Sequence, residues 1–167
     1  MAIIDSILME MDNEQPATLR VLERVPEDKL DWTPHPKSMT IGKLAWHIAG
    51  IPARVQALLR AGEFDLSTAG PAEMPRDVSA IAGKLSSNMD ELRAYLRTID
   101  DAVLKEPFTL RKGDRVLNKI PKFGVVRNIL LNHTYHHRGQ LAVYLRLLDI
   151  PVPAIYGTSA DDNPFAG

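Results

Sequence analysis

A chain of 167 residues with 20 Lys+Arg against 21 Asp+Glu fits one compact domain, residues 1–167, and carries no charge excess that would recommend nucleic acid or an anionic membrane as partner. The absence of cysteine excludes a disulfide framework, thiolate metal ligands and a cysteine nucleophile, so any metal must be held by nitrogen and oxygen. Asp5, Glu10 and Asp12 interrupt the one apolar run near the start, and no stretch reaches the roughly 18 apolar residues of a membrane span, so the expectation is a soluble cytoplasmic protein acting on a small molecule.

Residues 3–25 place Ile4, Ile7, Leu8, Met11, Leu19, Leu22 and Val25 at helical spacing, with Pro16 expected to kink or divide the helix. The segment Asp31-Trp32-Thr33-Pro34-His35-Pro36-Lys37 is too rich in proline to be helical. Thr40 is then the N-cap of a second helix running to about residue 61, with a stripe of Leu44, Ile48, Ile51, Val55, Leu58 and Leu59 that His47 borders; Pro52 is expected to bend it. Residues 62–75 read as a linker of small residues, and 77–99 as a third helix with Val78, Ile81, Leu85, Met89, Leu92 and Leu96 on one face. Residues 109–120 suggest a short hairpin or extended loop turning at Gly113-Asp114. A proline-free run from about residue 122 to 148 is one long fourth helix, ended by Pro151-Val152-Pro153 and followed by an irregular tail. Four long helices with little strand between them imply an all-α, four-helix bundle.

Three of the five histidines lie within about one turn of that fourth helix. At about 100° per residue His137 lies about 40° round from His133, on the apolar side that also carries Val126, Leu130, Leu141 and Tyr144. Two imidazoles four residues apart can share one transition metal, and His47, bordering the core from the second helix, is the natural third donor. Three nitrogens favour zinc, nickel or iron and leave a coordination position open. The spacing also admits a hydrogen-bonded core histidine pair or a cluster at a dimer interface. His136 is the alternative to His137 but lies toward the edge of the stripe. Gln140, on the site side, is placed to orient an imidazole or a bound molecule. His35, between two prolines, is expected to be exposed, and Arg138 to pair with a carboxylate at the surface. Asn132 and Tyr135 carry no assignment. Trp32 and Trp46 read as packing residues, and Asp161-Asp162 as solvated acids.

The chain resembles the DinB family, the DinB/YfiT-like four-helix metalloproteins. The likeness rests on three blocks in order: Leu30-Asp31-Trp32-Thr33-Pro34-His35-Pro36 leading to Ile41-Gly42-Lys43-Leu44-Ala45-Trp46-His47; His133-Thr134-Tyr135-His136-His137-Arg138-Gly139-Gln140-Leu141; and Val152-Pro153-Ala154-Ile155-Tyr156-Gly157-Thr158-Ser159-Ala160-Asp161. The resemblance puts the family's three metal ligands on His47, His133 and His137. It implies a bundle of up-down-down-up type, frequent homodimers, and metal-dependent enzymes that use low-molecular-weight thiols as transferases or isomerases; it does not imply DNA binding. A metal-dependent hydrolase, in which the ion activates water, is a second reading. A third is a non-catalytic dimeric bundle whose metal only ties helices together. Beyond the three ligands, no residue is assigned a catalytic or cofactor-binding role.

Overall fold

The computed structural model describes residues 2–70 and 77–165, so positions 71–75 of the expected linker lie outside the described residues. Helix α1 spans Ile3–Leu22, and its first amides are capped from a distant part of the chain: Ile3 and Ile4 donate to the Asp101 carboxylate at 2.8 and 3.2 Å. Contrary to expectation the helix runs through Pro16 without division. Proline forfeits one backbone bond, but Met11 on one side of it and Val21 and Leu22 on the other are buried in the same core, and burial outweighs that loss.

Helix α2, Ile41–Ala61, begins where Thr40 predicts, the threonine hydroxyl accepting from the Lys43 amide at 3.3 Å. It too passes through its proline, Pro52, and buries the whole expected stripe. The preceding loop docks on its first turn through Ile41 N–H to Trp32 O at 2.9 Å and Gly42 N–H to Leu30 O at 3.0 Å. Only a residue without a side chain fits there, since a Cβ on Gly42 would lie 2.9 Å from Leu30 O.

Helix α3, Ser79–Leu96, packs against both α1 and α2, and the short α4, Asp101–Lys105, is capped by Asp100. The hairpin is present as β2, Pro107–Lys112, and β3, Arg115–Pro121, joined at Gly113-Asp114 with Gly113 at φ 57° and a register irregularity at Leu110/Arg111. The expected linker, however, contains a strand: β1, Glu63–Asp65, pairs in parallel with β2, making a three-stranded sheet in the order β1-β2-β3. Asp65 locks it, accepting from Arg111 at 2.6 Å and from the Gly113 amide at 3.1 Å. The fold is therefore helix-rich with a small sheet rather than purely α.

The last rod is continuous but not one α-helix. It comprises α5, Lys122–Val125, a π-helical segment, Val126–Asn132, and α6, His133–Leu147. Bonding from i to i+5 sets Val125 above Leu130 and Val126 above Leu131, and all four are buried. An uninterrupted 3.6-residue period would not put both pairs on the core side. Among the described residues no helix is long and apolar enough to cross a membrane.

Candidate metal centre

His47 comes from the second turn of α2, where Leu44, Ile48 and Ile51 are buried and hold that face inward. His133 is the first residue of α6, directly after the π segment, and His137 follows one turn later, 7% exposed. The three side chains meet: His47 Nε2 lies 2.9 Å from His133 Nε2, and His133 Nε2 lies 3.1 Å from His137 Nε2. All three sets of potential ligand atoms fall within 4.8 Å of one another. The rings stand nearly perpendicular in pairs, at 74–90°, so their nitrogens converge without the rings stacking.

Hydrogen bonding alone does not satisfy this geometry. A neutral imidazole nitrogen has either one proton or one lone pair, so His133 Nε2 can serve one of its two close neighbours, not both. Two nitrogens each about 2.0–2.1 Å from one ion stand about 2.9 Å apart at a right angle and about 3.3 Å apart at the tetrahedral angle. The observed 2.9 and 3.1 Å lie in that interval. The His47–His133 and His133–His137 pairs each have the spacing of two ligands on a single cation.

The surroundings keep the rings in the form a cation needs. Burial, then the neighbouring charges of His137, His133 and Arg54, lower the His47 pKa to about 4. Burial first, then His137, His136 and Arg54, also lowers that of His133. For His137 burial wins over the opposing effect of its bond to Gln140. That bond, Nδ1 to Gln140 Oε1 at 2.6 Å, requires the proton on Nδ1, because an amide oxygen can only accept, and leaves the Nε2 lone pair aimed at the cluster. Gln140 thus takes the orienting role its place on the helix suggested.

The remaining assignments divide. His136 is exposed, its ring 4.9 Å from that of His137, and is not drawn into the cluster; His35 is exposed, accepting the Lys37 amide at 3.1 Å. Arg138 overturns its surface assignment, being 1% exposed. It pairs with Glu14 at 2.8 Å, donates to Thr18 Oγ1 at 3.0 Å and to the Tyr156 hydroxyl, and lies against the faces of Tyr135 and Tyr156. Tyr135, unassigned from sequence, donates to Glu10 at 2.7 Å, and its pKa is raised by burial and by that bond. Asp161 and Asp162 are not idle acids: they accept the Val152 and Ala154 amides at 2.8 and 2.9 Å and fold the tail back on itself. Trp32 packs edge-on to Tyr144 as expected, whereas Trp46 lies under Lys84 in a hollow beside His47. Among the described residues no carboxylate joins the three histidines.

Comparison with known proteins agrees with these elements. The profile of the DinB superfamily matches residues 10–141. The chain is 26% identical over 163 residues to the uncharacterized protein YrdA of Bacillus subtilis, a match covering 95% of this chain and 91% of YrdA. Its fold is similar to that of a DinB-like protein from Bacillus cereus, with a TM-score of 0.72 and 21% identity over 93% of this chain and 98% of that one. It is also similar to that of the DinB-like protein YjoA from Bacillus subtilis, with a TM-score of 0.67 and 19% identity over 86% and 92% of the two chains.

Proposed function

The chain belongs to the DinB superfamily, and from that premise we propose that His47, His133 and His137 hold a divalent transition metal in an enzyme that acts with a low-molecular-weight thiol, as a transferase or isomerase. The observation that carries this is the convergence of three Nε2 atoms at 2.9 and 3.1 Å, more close contacts than protons can bridge. Zinc is the first choice and nickel or iron the alternatives, since an all-imidazole set suits each of them and not magnesium or calcium. When bound there, the ion would lower the pKa of a thiol from about 8.5 and make the thiolate the prevailing form at neutral pH.

The protein's own contributions are separable. The cluster offers three donors, fewer than the four of a closed structural site, which supports an open position for a ligand. Gln140 fixes the His137 tautomer, and burial keeps the imidazoles unprotonated. The hydrolase reading calls for a positioned general base, and the lack of a carboxylate in the cluster among the described residues places it second. We further read the four long rods as the DinB/YfiT-like four-helix bundle and the protein as a homodimer.

The test is a titration of cobalt-loaded protein with 2-mercaptoethanol, followed by absorption. A sulfur-to-cobalt charge-transfer band is expected, and His133→Ala should lose the metal. Full metal occupancy without such a band would overturn the thiol reading. Failure of wild-type protein to take up the ion would overturn the metal centre itself.

A further inference from the structure

Beside His47, between α2 and α3, lies a hollow of about 280 Å³ whose wall includes Trp46, Gly50, Arg54, Lys84 and Asn88. Arg54 follows His47 by seven residues, which sets it about 20° round and about 10 Å along the same helix face. Side chains lean toward the N-terminus of their helix, so that of Arg54 reaches back toward the histidines. Its charge is felt by both His47 and His133. From α3, the Lys84 ammonium sits 3.4 Å from the centre of the Trp46 ring, and Asn88 braces the wall by donating to Ala49 O at 2.8 Å. No carboxylate is among the described residues that line the hollow. Two cations therefore face a concave space that adjoins the three-histidine cluster.

We propose that this hollow takes a carboxylate group of a small substrate, clasped by the Arg54 guanidinium with Lys84 adding charge, while the rest of the molecule extends to the histidine cluster. The planar fork of arginine matches the two oxygens of a carboxylate. A phosphate would match the same fork, but it would lack here the free amides of a helix N-terminus that many phosphate sites add. Here the lining comes from residues 46–54 and 84–88, whereas α2 and α3 begin at Ile41 and Ser79. The reading rests on the proposed metal centre only for what the far end of the substrate meets. The carboxylate contact stands on Arg54, which lines the hollow.

Two titrations test it. In the first, cobalt-loaded protein is titrated with 3-mercaptopropionate and with 3-mercapto-1-propanol, which differ at one end only by the carboxylate. The acid should bind roughly tenfold or more tightly, as expected for hydrogen bonds to a charged group. Arg54→Gln should bring the two close to parity without changing metal content or the affinity for the alcohol, and Lys84→Gln should narrow the gap. Equal binding of both thiols to the wild type, or a preference that survives Arg54→Gln, would overturn the carboxylate site and leave the metal reading standing. In the second, which needs neither metal nor thiol, the Trp32→Phe variant leaves Trp46 as the one tryptophan, and its fluorescence is followed against 4-nitrobenzoate and 4-nitrobenzamide. Saturable quenching by the acid alone, weakened by salt and removed by Arg54→Gln, is the expected result. Equal quenching by acid and amide would refute the proposal whether or not thiols bind the metal.

Discussion

Replacing Arg138 with methionine removes a cation that lies 1% exposed between α1, α6 and the C-terminal tail. The methionine fills most of the volume but leaves Glu14 without its partner at 2.8 Å, Thr18 Oγ1 without a donor at 3.0 Å, and the Tyr156 hydroxyl without one of its two bonds. In the native protein every described buried side-chain nitrogen and oxygen has a partner, so nothing nearby is spare to replace what is lost. Breaking a buried pair from one side costs about 3–5 kcal/mol, and because Glu14 keeps 17% of its side-chain surface in water the lower end, about 3 kcal/mol, applies. At about 2.1 cal/mol/K per residue the 167-residue chain has an unfolding entropy of about 0.35 kcal/mol/K, so the midpoint should fall by roughly 9 °C. Calorimetry at neutral pH measures this directly. The double variant Glu14→Gln/Arg138→Met, which strands no charge, should recover a large part of the loss. A drop of under about 2 °C for the single variant, or a double variant no more stable than it, would refute the account of Arg138 as half of a buried pair.

Three other outcomes follow from the same geometry. Gln140→Leu, which frees the His137 ring, should weaken metal binding by about 10–100-fold in competition with a chromophoric chelator, with the helical circular-dichroism signal unchanged; unaltered affinity would remove Gln140 from the centre. In metal-free protein the His47 pKa is lowered from 6.5 to about 4, so the folded form binds fewer protons than the unfolded one between those values. Its contribution to stability is thus complete above about pH 6.5 and lost as pH falls toward about 4; the urea midpoint of chelator-treated wild type should fall across that window more steeply than that of His47→Gln, and parallel curves would contradict it. Gly42→Ala would set a methyl 2.9 Å from Leu30 O and 3.0 Å from Leu30 Cδ2, costing about 1–3 kcal/mol in a thermal melt, and an unchanged midpoint would show that the loop yields freely.

The sequence by itself determined what depends on neighbours along the chain. Thr40 marked the start of α2 because a cap bonds an amide three residues on; Gly113-Asp114 marked the hairpin because its turn demands a positive φ; and the four-residue spacing of His133 and His137 set both rings on one side of a helix. The apolar stripes of α2 and α3 were legible for the same reason, since their period repeats within a few residues.

Tertiary structure decided the rest. Pro16 and Pro52 lie within continuous helices because the core on either side of them recovers more than one lost backbone bond costs, an energy with no trace in local propensity. Strand β1 has three residues and no alternating pattern, and exists because β2, over forty residues later, supplies its hydrogen bonds. Arg138 follows His137 within α6, about 100° round the helix, so the 3.6-residue period that placed the histidines correctly gave no warning that Arg138 would be buried too. An arginine reads as a surface residue until a carboxylate 124 positions earlier is brought against it, and Trp46, a packing residue as expected, gains a second role only because Lys84 of α3 is laid over its ring. Periodicity tells which way a side chain faces; what it faces is settled only when distant segments pack.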